Sequence, residues 1–325
     1  MQLAAINWHI YLITHSALAL GLLGACRAIP IIFCSLLGGV VADVVDRRRL
    51  MMITQSVMMT CSAVLALVTF RGLLHVWPIF LLTAIASAAW AFDTPARQAL
   101  MPTLVPLKDF PNAVSLSMLM FQVGLIVGPP LSGFVLASHG PAFVYMINAV
   151  SFVAVIAGLA LMRTSGRPER DEGQPARISF EALLEGLRFV WRTPIIVQTM
   201  TLDFAATFFA AANQLLPIFA KDILRVGAQG YGFLAAAPAG GAIITGLVMA
   251  RLGTLKRQGV LVIVSIGLFG APTIAVGLSR VFWLSLLMLA ITGAADTIST
   301  ILRQTIRQLA TPNKIPSLAT FTVEC

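Results

Sequence analysis

The stretch Gly39-Val-Val-Ala-Asp43-Val-Val-Asp46-Arg47-Arg48-Arg49 stands between two apolar runs, 17–42 and 50–70. Each run is long enough to cross a hydrocarbon core of ~30 Å at ~1.5 Å per residue. Three successive arginines on a short connection between such runs mark a membrane face, because a guanidinium is costly within lipid and tolerated at the interface. Further runs follow at 76–96, 113–137, 141–162, 194–220, 229–250, 258–279 and 281–302. Before them, Met1 to Leu12 is an apolar piece carrying Trp8 and Tyr11, about half a span long. The runs exceed barrel-strand length and lack period-2 alternation, so they read as helices.

Composition agrees. Of 325 residues, 58% are hydrophobic and 11% charged, against ~25% charged in an ordinary soluble domain. The mean hydropathy is +0.90. At about 20 residues per span this apolar stock covers roughly nine helices, far more apolar surface than one soluble core can hide. A cytosolic enzyme or a DNA-binding domain is thereby excluded. Of the four cysteines, Cys26, Cys34 and Cys61 lie in apolar runs, Cys325 ends the chain, and none has CxxC spacing, so they read as small hydrophobes. No P-loop motif occurs, and Met1 is followed by no signal-peptide pattern. No cofactor, metal site or nucleic-acid partner is expected.

The net charge of +9 is placed, not spread. Arg47–Arg49, then Arg97 and Lys108, then the 163–193 segment, then Arg251, Lys256 and Arg257, then Arg303, Arg307 and Lys314 fall in every second connection. The connections between them carry only Arg71, Lys221, Arg225 and Arg280. The positive-inside rule puts the first set in the cytoplasm, so the basicity is a topology signal, and the expected location is the bacterial inner membrane, multi-pass. The long polar segment divides the chain: 1–162 as a first bundle, 163–193 as a linker, 194–311 as a second bundle and 312–325 as an atypical tail. Within the linker, Phe180, Leu183, Leu184, Leu187, Val190 and Trp191 repeat at helical spacing, which predicts an amphipathic interfacial helix.

The two bundles repeat one another faintly. Gly39-x₃-Asp43 with Arg47–Arg49 has a counterpart in Gly246-x₄-Arg251-x-Gly253 with Lys256 and Arg257. Asp93-Thr94-Pro-Ala-Arg97-Gln98 closes one run, and Asp296-Thr297 with Arg303-Gln304 closes the last. Both pairs lie roughly two hundred residues apart, the length of a six-helix half, and parallel six-helix halves build one large class of secondary transporters.

On these residues the chain resembles the major facilitator superfamily. The 39–49 stretch is similar to that family's loop signature between helices 2 and 3, with Val44 in place of a basic residue and Asp46 in place of Gly. Gly124-x₃-Gly128-Pro129-x₃-Gly133 resembles the Gly-Pro motif that exporters of the superfamily carry on helix 5, with Ser115 and Ser132 at positions that often hold Gly. Ala5-x₂-Trp8-x₂-Tyr11-x₂-Thr14, Pro111-Asn112-Ala113-Val-Ser115, Phe208-Phe209, Leu215-Leu-Pro217 and Gly230-Tyr231-Gly232 resemble the bacterial enterobactin-exporter-like branch. The resemblance implies an all-α polytopic fold of two pseudo-repeated bundles, with helix 1 entered midway and helices 11 and 12 of the second bundle missing. It also implies that Asp43 faces the N-terminus of helix 11, where the helix dipole favours a carboxylate.

Ionisable groups inside spans are costly and are functional candidates by default. Arg27 and Asp203 each lie about 10 residues into a run, ~15 Å deep. A desolvated carboxylate suits proton coupling; an Arg–Asp pair that only neutralises two buried charges is the structural alternative. Asp93, Arg97, Asp296 and Arg303 sit near helix ends and read as gate or packing residues. Asn148, Gln122, Asn213 and Gln214 suit interhelical hydrogen bonds first and cavity lining second. His15, His75 and His139 fall at helix ends and read as loop histidines, and Trp77, Trp191 and Trp283 as interfacial anchors. The implied function is that of a monomeric, non-enzymatic secondary transporter exporting a small amphipathic molecule, a siderophore or a drug-like compound, with protons as coupling ion. The alternative is a non-transporting fragment of such a transporter.

Overall fold

The computed structural model describes residues 1–73, 75–106, 108–162, 212–252 and 258–310, with Arg188, Trp191, Val197, Gln198 and Thr201. The described residues contain helices and no strand: α1 (Gln2–Thr14), α2 (Ala17–Val44), α3 (Arg47–Phe70), α4 (Val76–Leu104), α5 (Phe110–His139), α6 (Pro141–Leu161), α7 (Gly227–Leu252), α8 (Gln258–Leu278) and α9 (Phe282–Ala310). Seven helices among the described residues are long and apolar enough to cross a membrane. The amphipathic linker helix, the tail at 312–325 and Asp203 lie outside the described residues.

Helix boundaries differ from the apolar runs in one consistent way. Arg47–Arg49 form the first turn of α3, and Arg97 and Arg303 lie inside α4 and α9. Backbone hydrogen bonding carries a helix past the hydrocarbon edge wherever the next residues tolerate it, so apolar runs mark the lipid-facing middle and not the ends. Asp46 starts α3: its Oδ1 accepts the Arg49 backbone N–H at 3.1 Å, one of the donors a helix N-terminus leaves open. Prolines Pro30, Pro95, Pro102, Pro129, Pro130, Pro238 and Pro272 all lie within helices, where neighbouring segments can satisfy the freed carbonyls.

The chain divides into two compact units, Met1–Ala176 with Gln214–Ala235, and Arg177–Asn213 with Ala236–Cys325. In the first, α4 packs against α2 and α3, and α3 against α6. Leu50, Met51, Ala96, Leu100 and Leu159 close the arginine-rich end of this unit into one apolar cluster. In the second, α8 packs along α9. There α7 meets α9 at small residues: a Cβ on Gly241 would strike the Ala290 carbonyl, and one on Gly293 the Pro238 carbonyl. With lipid as apolar as the helices, such backbone approach is what van der Waals packing can use to hold them.

Candidate functional site

At the arginine-rich end, α3 begins with three guanidiniums of different fates. Arg48 donates to the Leu159 and Ala160 carbonyls at 2.7 and 2.6 Å, in the last turn of α6. Those carbonyls have no intrahelical partner and carry the negative end of the helix dipole, so a cation there satisfies both needs. Arg47 donates to the Ala99 carbonyl of α4 at 3.0 Å. The Arg49 side chain is exposed and has no hydrogen-bond partner among the described residues. The loop-signature residues thus pin α3 to α4 and α6. Gly39 lies within α2; the Asp43 side chain is outside the described residues.

One step inward, Asp93 of α4 is 1% exposed. Its Oδ1 accepts from Thr54 Oγ1 at 2.8 Å and Gln55 Nε2 at 3.0 Å, and its Oδ2 from Arg97 at 2.6 Å. A buried carboxylate is tolerated when its lone pairs are met this way. Asp93 therefore ties α3 to α4, and Arg97, half-exposed, neutralises it from the surface. In the second unit, Asp296 is exposed while Arg303 is buried and donates to Thr300 Oγ1 at 3.4 Å. Arg27 lies inside α2, half-buried, with no ion-pair partner among the described residues.

The Gly-Pro motif of α5 meets the Gly230-Tyr231-Gly232 stretch of α7. A Cβ on Gly133 would lie 2.6 Å from the Ala228 carbonyl oxygen, and one on Gly232 2.6 Å from that of Pro129. Side chains are excluded on both helices, and the two backbones touch. Phe134 and Phe233 flank the crossing edge to face, centroids 5.9 Å apart. Gly124 has nothing within 4 Å of its Cβ position, so the motif's contact here is carried by its Pro129–Gly133 end.

At the end opposite the arginines, α1 is bound to residues that follow the linker. Trp8 stacks on Tyr231, centroids 5.3 Å apart and planes at 25°. The Tyr11 hydroxyl donates to Asp222 Oδ2, and the Lys221 ammonium lies 5.7 Å from the Tyr11 ring centroid. Lys221 and Asp222 are presented by a single π-helical turn, Phe219–Ile223, a local underwinding that recurs at functional positions. The chain then turns through Arg225 and Gly227, both at positive φ (53° and 66°), into α7. Trp8, Tyr11 and Tyr231 are all buried.

Two polar contacts inside the first unit escape sequence reasoning. His9 Nδ1 lies 3.0 Å from the Tyr145 hydroxyl, both fully buried between α1 and α6. Gln2 Oε1 accepts from Ser62 at 2.9 Å and also from Asn148, which donates to Ser62 Oγ at 3.0 Å as well. Of these only Asn148 stood out in the sequence, as an amide in an apolar run. His9 sits in the short Met1–Leu12 piece, where a lone histidine carries no spacing signal. Lys221 and Asp222 were legible only as a charged connection after the run at 194–220. His15 caps α1 in the left-handed region (φ 48°), His75 and His139 stand at the ends of α4 and α5, and Trp77, Trp191 and Trp283 are exposed.

The sequence profile of the transmembrane secretion effector family matches residues 1–322. The enterobactin exporter EntS of Salmonella typhi is 29% identical over 319 residues, covering 96% of this chain and 74% of the exporter. The EntS of Escherichia coli O1:K1 is 28% identical over 313 residues, covering 95% and 73%. Among solved structures, a bacterial homologue of the human lysosomal transporter Spinster, in an inward-facing and unoccupied conformation, superposes with TM-score 0.72 at 17% identity over 99% of this chain and 76% of its own. The nucleoside transporter NupG superposes with TM-score 0.63 at 16% identity, covering 99% and 84%. With the helical fold, the crossing of α5 on α7 and a family match along nearly the whole length, the chain belongs to the transmembrane secretion effector family of major facilitator superfamily transporters.

Proposed function

We propose that the chain exports a small amphipathic molecule, of the siderophore or drug-like class, by alternating access coupled to a proton gradient across the bacterial inner membrane. The observation that carries this reading is the latch of α1, through Trp8 and Tyr11, onto Tyr231 and Asp222. Alternating access needs contacts at one end of the bundles that form and break as the other end opens and closes. The Trp8–Tyr231 stack, the Lys221–Tyr11 contact and the Tyr11–Asp222 hydrogen bond join residues from both sides of the linker within one compact unit, and we take their breaking to free α1 during the cycle. The proposed bundles are 1–162 and 194–311, joined by 163–193, acting as a monomer with Arg47–Arg49 toward the cytoplasm. The enterobactin exporters among the relatives support the substrate class.

Asp203 is the proposed coupling carboxylate and Arg27 its proposed charge partner or a substrate contact; both lie mid-run in sequence. Asp93, Arg97, Asp296 and Arg303 are the proposed gate or packing residues near the helix ends. The test is efflux of enterobactin from sealed vesicles containing the chain, with an imposed proton gradient. Saturable efflux that collapses with a protonophore is the expected result. Enterobactin movement equal to that of empty vesicles, with or without the gradient, would overturn the reading.

A further inference from the structure

Along α3, on the side facing α4, runs an open groove of about 790 Å³. Its walls include Ile53, Ser56 and Thr60 of α3 and Leu82 and Ile85 of α4, and Arg49 stands at its mouth. We infer that this groove holds one acyl chain of an anionic phospholipid from the leaflet on the arginine-rich side, with Arg49 binding the headgroup phosphate.

Three observations lead there. The first is polarity. The groove's two hydroxyls have spent their donors: Ser56 Oγ on the Met52 carbonyl at 2.7 Å and Thr60 Oγ1 on the Ser56 carbonyl at 2.8 Å. Such back-bonding leaves no donor that needs a polar ligand, so the lining is apolar in effect. The second is length. From Arg49 to Cys61 the groove follows about 18 Å of helix at ~1.5 Å per residue, close to the ~15 Å depth of one leaflet of a ~30 Å core. It begins at the interface and ends near the midplane, the reach of one lipid tail. The third is charge. Arg47 and Arg48 are engaged by the carbonyls of α4 and α6, whereas the Arg49 side chain is exposed with no hydrogen-bond partner among the described residues. Asp46, the nearest carboxylate in sequence, accepts the Arg49 backbone N–H. A guanidinium offers a phosphate a planar, bidentate donor pair, and basic residues beside grooves between membrane helices are the recognised chemistry for anionic headgroups.

The occupant is a lipid and not a second copy of the chain, because the charge at the mouth calls for an anion and the depth of the groove matches one leaflet. The experiment uses the full chain, delipidated in detergent and incubated with equimolar dioleoyl-phosphatidylglycerol and dioleoyl-phosphatidylcholine. Retained lipid is then quantified by mass spectrometry. The wild-type chain retains phosphatidylglycerol about fivefold over phosphatidylcholine, the worth of one basic residue at such a headgroup. Arg49→Gln brings that ratio close to one with phosphatidylcholine unchanged, and Arg49→Lys keeps most of the preference. Ser56→Trp, which fills the groove, lowers retention of both lipids. An Arg49→Gln chain with the full phosphatidylglycerol preference would overturn the headgroup assignment. Retention of both lipids unchanged in Ser56→Trp, or a dimer in place of bound lipid, would overturn the groove itself.

Discussion

Tyr11 and Asp222 lie 211 positions apart and are joined by one hydrogen bond, phenol to carboxylate, at the end of the fold opposite Arg47–Arg49. Lys221 sits over the same tyrosine ring, so a cation and an anion neighbouring in sequence both address one aromatic residue. Asp222 is exposed, and the bond is therefore worth less than a buried charge-assisted one: about 1 kcal/mol after screening by solvent.

Tyr11→Phe removes that bond and keeps the ring. The expected result is a latch that opens about fivefold more often, since 1.4 kcal/mol is about tenfold. The reaction rate of a cysteine at Ile10, which is fully buried, with an aqueous thiol reagent reads this directly. Asp222→Asn keeps an acceptor and gives a smaller increase. Equal rates in all three chains would show that the bond does not hold α1 in place.

The glycine crossing of α5 and α7 responds to bulk. Gly133→Val and Gly232→Val each push a side chain into a carbonyl that lies 2.6 Å from the Cβ position, at an expected cost of about 1–3 kcal/mol. Gly124→Ala, at a position with open space, is neutral or slightly stabilising, because alanine favours helix. Melting temperatures in detergent should rank Gly124→Ala at or above wild type and the two valine variants well below it.

Asp93 and Arg97 form a pair with unequal burial, which predicts unequal effects. Asp93→Ala leaves Gln55 and Arg97 without this acceptor, while Thr54 keeps the Met51 carbonyl at 3.0 Å, and is expected to cost about 1–3 kcal/mol. Arg97→Gln removes a guanidinium whose side chain is 54% exposed and is expected to cost under about 1 kcal/mol. Thermal unfolding that ranked Arg97→Gln as the worse variant would mean that the surface charge, and not the buried acceptor, holds α3 to α4.

For coupling, Asp203→Asn should abolish gradient-driven efflux while leaving insertion and abundance unchanged. Exchange of substrate down its own gradient should persist in this variant. Efflux at the wild-type rate would return Asp203 to a structural role.

Most of the fold was legible because membrane helices announce themselves by length and apolarity, which located the seven spans found among the described residues. Helix ends were less legible: Arg47–Arg49 and Arg97 read as connections but lie within helices, since hydropathy reports lipid and not backbone hydrogen bonding. The motif stretches around Trp8, Tyr11, Gly133 and Gly230–Gly232 were visible as patterns, yet nothing in a single sequence says that Trp8 stacks on Tyr231 or that Gly133 touches the Ala228 backbone. Those are contacts between distant segments, set by packing. His9, Tyr145 and Lys221 belong to no motif, so neither the His9–Tyr145 contact nor the Lys221–Tyr11 contact had a spacing signal that joined its two partners.

Whether export requires the α1 latch to open is decided by a reversible lock on Tyr11 and Asp222. In a chain with its four cysteines replaced by serine, Tyr11→Cys and Asp222→Cys are joined by a bismaleimide with a reducible disulfide in its spacer, because the tyrosine ring holds the two backbones too far apart for a direct bond between the thiols. Enterobactin efflux from sealed vesicles is measured before cross-linking, after cross-linking and after reduction of the spacer. Efflux is expected to stop on cross-linking and to return on reduction, with each single-cysteine chain keeping its efflux in the presence of the reagent. Undiminished efflux from the fully cross-linked chain would contradict that requirement.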